Sequence, residues 1–331
     1  MASSKLKLLY VLEILLRESD EDHPVDVDRI LVYLQNHNIP CERKSIYSDV
    51  TALREYGYDI ITKKGSSGGY ALVSREFEDA ELRLLCDAVQ AAGFISPKKT
   101  RKLIDKLFTL TSAPQAKLLR GQVHVDNRPK SGNEEIYYHI DKLGRAIRGH
   151  VQVRALYRRR FLAPDNTVAN SDVWHTVSPY ALIWSDDHYY LIANKEKYSN
   201  LMPMRIDRIK KLEILPDKPA RHFSEVSPYE TSFDTADYAK RHFHMYSGTP
   251  EPIELVFDPD MLEQMLDRFG EDVRFRRSDT GKLILRTEAA VNDGFVAWLL
   301  QFGDKIYVKK PEELKARLFR KAQEVERVYK I

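Results

Sequence analysis

The sequence has 331 residues, with 52 basic against 49 acidic side chains and two cysteines. Its 43% hydrophobic content can build cores for two or three domains, which excludes a disordered or fibrous chain. The longest apolar run, at 295–300, is far shorter than the roughly 20 residues of a membrane-spanning helix. The two cysteines are too few for a disulfide framework or a zinc site built from cysteines. We therefore expect a soluble, cytoplasmic protein that has no membrane contact, metal or cofactor.

The first 75 residues have the pattern of three helices followed by a β-hairpin. Asp26 can cap the second helix, and Gly57 is the expected residue just after the third helix. Two short apolar strands then enclose the Gly-rich loop 65–69. This order predicts a winged helix-turn-helix, which is a DNA-binding domain.

The third helix has one apolar face and one polar face. Ile46, Val50 and Leu53 recur at spacings of four and three. The other face and the hairpin tip offer side chains suited to phosphate and base-edge hydrogen bonds. These predicted DNA-binding residues are Arg43, Lys44, Ser45, Tyr47, Ser48, Thr51, Lys63 and Lys64. Winged helices also serve as protein-interaction modules, so that alternative stays open at this point.

The rest of the chain divides by its periodicity. Residues 76–150 are mostly helical and form a predicted linker and dimerisation region. From 151 to 216 the period is two, which predicts a small β-barrel with separate strands at 174–178 and 181–184. The segment 217–251 then connects this barrel to a domain at 252–331. Two β-α-β halves in that domain predict a ferredoxin-like sandwich, so the fold class is α+β multidomain.

The barrel region is rich in basic and aromatic side chains. Seven basic residues and one acidic residue fall between 141 and 160, and arginines among tyrosines suit a pocket for phosphates and bases. The alternative, with tyrosines in the barrel core and arginines on a solvated rim, stays open. Strand alternation sends Arg205 and Arg208 to opposite faces. We expect Arg205 to contact a ligand and Arg208 to pair with a carboxylate or a backbone carbonyl.

An enzyme is not predicted. The Gly-rich loop lies between two strands, where it cannot cradle a phosphate at the start of a helix. His222, His242 and His244 lie close together in the sequence, with His242 and His244 two residues apart. They could bind a metal in a nucleic-acid-processing enzyme, but no cysteine or third ligand is evident nearby. This enzyme is the less favoured alternative.

The sequence resembles the WYL-domain transcription regulators of bacteria. The resemblance rests on residues 175–193, HTVSPYALIWSDDHYYLIA, and on Met204-Arg-Ile-Asp-Arg-Ile209. Tyr189-Tyr190-Leu191 stands where the family has Trp-Tyr-Leu, and Met202-Pro203-Met204 where the family often has a basic residue. Residues 43–53 are similar to the family's DNA-reading helix, and 253–329 look like its C-terminal extension.

The resemblance implies a fold and a function for each part. It implies an Sm/SH3-like barrel, a homodimer that binds double-stranded operator DNA, and an effector that is a nucleotide or a single-stranded nucleic acid. The ligand-binding residues expected on this basis are Tyr157, His175, Ser178, Tyr180, Tyr190, Arg205 and Arg208. The predicted function is a ligand-responsive, DNA-binding regulator of transcription.

Overall fold

A computed structural model describes residues 4–65, 68–122, 130–242, 245–246, 248 and 250–329. The chain divides into two compact units, Met1–Gly132 and Asn133–Ile331. Within the described ranges, no helix is both long enough and apolar enough to cross a membrane. The architecture is mixed helix and sheet, in agreement with the predicted α+β class.

The first unit begins with three helices and a hairpin. They are α1 (Ser4–Glu18), α2 (Val27–Asn36), α3 (Arg43–Tyr56), β1 (Ile60–Lys63) and β2 (Gly69–Leu72). As expected, the Asp26 side chain caps α2 by accepting a hydrogen bond from the Arg29 amide. Gly57 ends α3 with a φ of +119°, a conformation that favours glycine. Buried apolar residues of all three helices and both strands form one core.

Three further helices complete the first unit. They are α4 (Asp79–Ala91), α5 (Pro97–Leu107) and α6 (Ala113–Gln122), with a 3₁₀ turn at Phe108–Leu110. Hydrogen bonds fix the segment that leads into this part, since Arg75 donates to the carbonyls of Leu16 and Ser19 at 2.7 Å. Ser112 adds a contact to the buried Asp20 carboxylate at 2.5 Å.

The second unit begins with one helix and a five-stranded antiparallel sheet. The elements are α7 (Ile136–Arg148), β3 (Val151–Leu162), β4 (Val168–Ser185), β5 (His188–Asn194), β6 (Met202–Arg205) and β7 (Ile209–Pro219). The strand order is β6-β5-β4-β3-β7, so the two edge strands are consecutive in the chain. In a flat sheet they would lie about 19 Å apart, whereas four residue steps span at most about 14 Å. The sheet must therefore curl towards closure.

One predicted feature of this sheet is wrong. The segments 174–178 and 181–184 belong to the single strand β4, because a bulge between Pro179 and Ala181 lets the strand bend without ending. Asp186 and Asp187 form the tight turn between β4 and β5, and both residues have positive φ values.

A C-terminal sheet and helices complete the second unit. After α8 (Thr235–Arg241), the elements are β8 (Pro250–Phe257), α9 (Leu262–Phe269), β9 (Phe275–Arg277), β10 (Leu283–Ala290), α10 (Asp293–Leu300), β11 (Ile306–Lys310) and α11 (Glu312–Tyr329). The sheet order is β11-β8-β10-β9, and its chain order up to β11 is the expected βαββαβ. Phe257, Phe269 and Phe295 lie in the core of this part.

Candidate nucleic-acid interfaces

The solvent face of α3 carries a continuous polar stripe. Lys44, Tyr47, Ser48 and Thr51 are all exposed, and their spacings of three, one and three place them along one side of the helix. On the opposite side, the predicted core residues Ile46, Val50 and Leu53 are buried. Burial of one face therefore fixes which side chains α3 can present to a partner.

The polar side chains at the start of α3 differ in whether they already have a partner. Arg43 forms an ion pair with Asp28 of α2, and the hydrogen bond to that carboxylate raises the pKa of Arg43. Ser45 donates its hydroxyl to the Glu42 carbonyl at 2.8 Å. Lys44 has no ion pair with any residue that the structure describes. Lys44 is therefore the basic side chain of the stripe that can bind a phosphate without first breaking a contact.

The hairpin after α3 is attached to it through Arg54. The Arg54 guanidinium donates to the Ile60 carbonyl at 2.6 Å and to the Thr62 hydroxyl at 2.8 Å. Lys63 donates to the backbone carbonyl of Glu21, whereas Lys64 is exposed at the tip. The contacts of Arg54, which sequence reasoning missed, fix the hairpin relative to α3.

A pocket of about 410 Å³ lies at the mouth of the curled sheet. Its lining residues are Tyr157, Arg159, Arg160, His175, Met202, Pro203, Met204 and Arg208. β3 and β4 supply the first four, and β6 with the turn after it supplies the rest. Tyr157 and His175 lie with their ring centroids 6.2 Å apart. The pocket therefore combines an aromatic pair, a thioether wall and three guanidinium groups.

The pocket is electropositive. Arg159, Arg160 and Arg208 are exposed, and none of them has a carboxylate partner within the part of the chain that the structure describes. The pKa of His175 is lowered by burial and by the nearby positive charges of Lys195 and Arg159. Unpaired cations that repel one another in this way favour the binding of an anion. Arg159 and Arg160 were not among the predicted ligand residues, although the basic run containing them was noticed.

A bend between β6 and β7 decides which arginine faces the pocket. The residues Ile206–Arg208 form a 3₁₀ turn. The Asn133 side chain donates to the carbonyls of Asp207 and Ile209 at 3.1 and 2.9 Å, which holds the turn in place. Arg205 binds the Asp207 carboxylate through Nε–Oδ1 and Nη2–Oδ2 contacts of 3.0 and 2.7 Å. The expectation that Arg208 makes the structural pair is therefore wrong, because Arg205 makes it and Arg208 lines the pocket.

The remaining predicted ligand residues lie outside this pocket. Tyr180 and Tyr190 belong to a buried cluster with Tyr238 of α8, and burial raises the pKa of Tyr180 to about 12. Ser178 is buried and accepts a hydrogen bond from the Arg221 amide at 2.9 Å. Of the seven predicted residues, the pocket contains Tyr157, His175 and Arg208.

The histidines that could have formed a metal site do not share a site in the described structure. His222 is exposed and lies 2.7 Å from the Ser224 hydroxyl. His242 is buried, with its ring nitrogens 2.8 and 3.1 Å from the carbonyls of Tyr238 and Gly248, while His244 lies outside the described residues. Among the described residues, no group of three or more potential ligands could hold a metal ion.

Comparison with known proteins finds two families in this chain. Residues 138–214 match the WYL domain, and residues 249–325 match the WCX domain. The chain is 19% identical over 296 residues to an uncharacterized HTH-type transcriptional regulator, YobV of Bacillus subtilis (strain 168), covering 86% of this chain and 89% of YobV. Among solved structures it matches proteasome accessory factor B/C (PafBC) of Arthrobacter aurescens at 16% identity and a TM-score of 0.30, covering 96% of this chain and 47% of PafBC.

Proposed function

We propose that this chain is a WYL-domain transcriptional regulator that binds operator DNA through α3 and senses a nucleic-acid ligand through the barrel pocket. The matches to the WYL and WCX domains and the similarity to an HTH-type transcriptional regulator support this proposal. The observation that carries the DNA-binding proposal is the exposed stripe of Lys44, Tyr47, Ser48 and Thr51, backed by a buried apolar face.

On this proposal the N-terminal domain works as a winged helix-turn-helix. α3 follows α2 in the position of the recognition helix, and the major groove of DNA admits one α-helix. Lys44 binds a phosphate, while Tyr47, Ser48 and Thr51 contact phosphates and base edges. Lys64, exposed at the hairpin tip, contacts the backbone of the same duplex. Because the Thr51 hydroxyl already donates to the Tyr47 carbonyl at 2.9 Å, it can meet DNA as a hydrogen-bond acceptor.

The barrel pocket binds the effector in this account. Arg159, Arg160 and Arg208 hold phosphate oxygens with charge-assisted hydrogen bonds, and the ring of Tyr157 stacks on a base. A nucleotide or a single-stranded nucleic acid offers both groups, whereas the bases of a duplex are stacked on one another. The curled five-stranded sheet that carries the pocket is assigned as an Sm/SH3-like barrel.

Coupling between the two sites requires two copies of the chain. A homodimer presents two recognition helices to half-sites about one turn of DNA apart. The effector can change operator affinity only by binding one arrangement of the two DNA-binding domains more tightly than the other. The assembly expected in solution has twice the 38.5 kDa mass of one chain.

The test of DNA binding compares three variants in mobility-shift and anisotropy assays with the DNA upstream of the protein's own gene. Lys44→Ala should weaken binding to all sequences and lower the salt slope by about one. Tyr47→Ala should weaken binding as well. The control is Lys98→Ala on α5, an exposed lysine that should leave affinity unchanged. If the first two variants behave like the control, α3 does not read DNA, and the protein-interaction alternative is favoured.

A further inference from the structure

Strands β3 and β4 extend beyond the sheet as a two-stranded arm. The last pair between β3 and β7 is Tyr157 with Ile209, and the pairing of β4 with β5 begins only at Ser178. Residues 158–162 and 168–172 therefore pair only with each other. A two-stranded hairpin alone is marginally stable in water. Within the described structure, no third strand pairs with this arm.

One face of the arm continues the wall of the pocket. β3 pairs with β4 without a register shift from Val153 to Leu162, so Tyr157, Arg159 and Phe161 share a face. Successive side chains on that face are about 6.8 Å apart. Phe161 is 50% exposed, and its cross-strand partner is Ala169. Because this partner is small, the Phe161 ring has an accessible face.

The opposite face of the arm has a different chemistry. Arg158 and Asp172 form a bidentate ion pair with contacts of 2.8 and 2.7 Å, which ties the two strands together. By the same alternation this face also carries Arg160, which lines the pocket. Leu162, 65% exposed, lies on this face at the outer end of the arm and has no aromatic ring. The two faces therefore provide a matched comparison between adjacent residues of one strand.

We propose that Arg159 and Phe161 extend the ligand site, so that the effector is a single-stranded oligonucleotide that runs from the pocket out along the arm. This inference rests on the proposed nucleic-acid sensing. Tyr157 and Phe161 are four residues apart, or about 13.6 Å along the strand, which is about the length of four steps of stacked bases at roughly 3.4 Å per step. Tyr157 stacks on the first base, Arg159 binds the phosphate that follows, and Phe161 stacks on a later base.

The charges of the arm determine where the bound oligonucleotide can extend. Arg159 has no carboxylate partner among the described residues, whereas Asp172 is neutralised by Arg158. Asp165 at the hairpin turn is held in its charged form by hydrogen bonds from Thr167, which lower the pKa of Asp165. The negative charge of Asp165 repels phosphate, so the oligonucleotide extends from the pocket along the arm only as far as Phe161.

The experiment titrates the full-length protein with thymidine 5′-monophosphate and with 5′-phosphorylated oligothymidylates of increasing length. Oligouridylates run in parallel to separate DNA from RNA as the source of the strand. Wild type should bind the longer strands more tightly than the mononucleotide. Phe161→Ala should weaken binding of the longer strands by about 5- to 150-fold, the loss expected for one stacked base, and leave mononucleotide binding unchanged. Leu162→Ala should change neither.

The outcomes separate this inference from the proposed function. If wild type binds the mononucleotide and all strands equally, and Phe161→Ala equals wild type, the arm is not part of the ligand site although the pocket senses nucleotides. If wild type binds no nucleotide of any length, the proposed sensing itself fails. If Phe161→Ala instead changes the mass in sedimentation and leaves oligonucleotide affinity intact, Phe161 belongs to a protein interface, and the inference is overturned.

Discussion

Replacing the two arginines of the β6–β7 bend one at a time should give opposite results. Arg205 is a structural residue, because its guanidinium forms a bidentate pair with Asp207 and the two side chains are 24% and 12% exposed. Burial alone would lower the pKa of Arg205, but the hydrogen bonds with Asp207 raise it above its ordinary value. Arg208 is exposed and lines the pocket.

The expected magnitudes follow from these environments. Arg205→Ala leaves the Asp207 carboxylate buried without its partner, which should cost about 1–4 kcal/mol, between the values for exposed and fully buried pairs. The midpoint of thermal unfolding should fall by about 2–4 °C per kcal/mol. Arg208→Ala should change stability by less than about 0.5 kcal/mol. It should weaken ligand binding by about 1.5–3 kcal/mol, or roughly 10- to 150-fold, through loss of a charge-assisted contact.

The assay is thermal denaturation of both variants, followed by calorimetric titration with a single-stranded oligonucleotide. Arg320→Ala on α11, an exposed arginine with no ion pair in the described structure, is the control for a simple loss of charge. The reasoning is refuted if Arg205→Ala melts like wild type while Arg208→Ala melts lower. It is also refuted if Arg208→Ala binds an oligonucleotide as tightly as wild type does.

Four further predictions concern individual residues. Asn133→Ala should lower the free energy of unfolding by about 1–3 kcal/mol in urea titrations, since two carbonyls of the bend lose their donor; an unchanged midpoint would contradict this. Asp28→Asn should tighten operator binding and steepen its salt slope by about one, because Arg43 is released for a phosphate; weaker binding would contradict it. The lowered pKa of His175 leaves the ring neutral in the free protein, and phosphate favours the charged ring, so oligonucleotide affinity should rise as pH falls from about 8 to about 6. His175→Gln should flatten that profile. Without ligand, the pKa values of His175 and the buried His139 are lowered in the folded protein. As the pH falls, these two histidines are therefore protonated in the unfolded chain before they are protonated in the folded one. Stability present above about pH 6.5 should therefore be lost as pH falls towards the folded-state values, as a melting series would show.

The face of α3 was predictable because helical periodicity alone decides it. Once Ile46, Val50 and Leu53 are assigned to the core, Lys44 and Tyr47 must point to solvent. The Asp26 cap and the Gly57 terminus were predictable for a similar reason, since each depends on one residue and its local backbone.

The division between Arg205 and Arg208 was not predictable, because it depends on a contact distant in sequence. The prediction assumed a regular strand through both residues, whereas β6 ends at Arg205. The turn that directs Arg208 into the pocket is held by Asn133, more than seventy positions earlier. The arm was missed for a related reason. The alternation of Tyr157, Arg159 and Phe161 is visible in the sequence, yet nothing local shows where β7 stops pairing with β3.

The central claim is that the pocket and α3 act in one ligand-responsive regulator. The most direct measurement is the operator affinity of wild type and of Arg208→Ala, each with and without a saturating single-stranded oligonucleotide. The account predicts that the ligand changes the affinity of wild type, and that Arg208→Ala binds the operator normally but responds only at much higher ligand concentration. An operator affinity of wild type that stays the same when the pocket is shown to be occupied would contradict the claim.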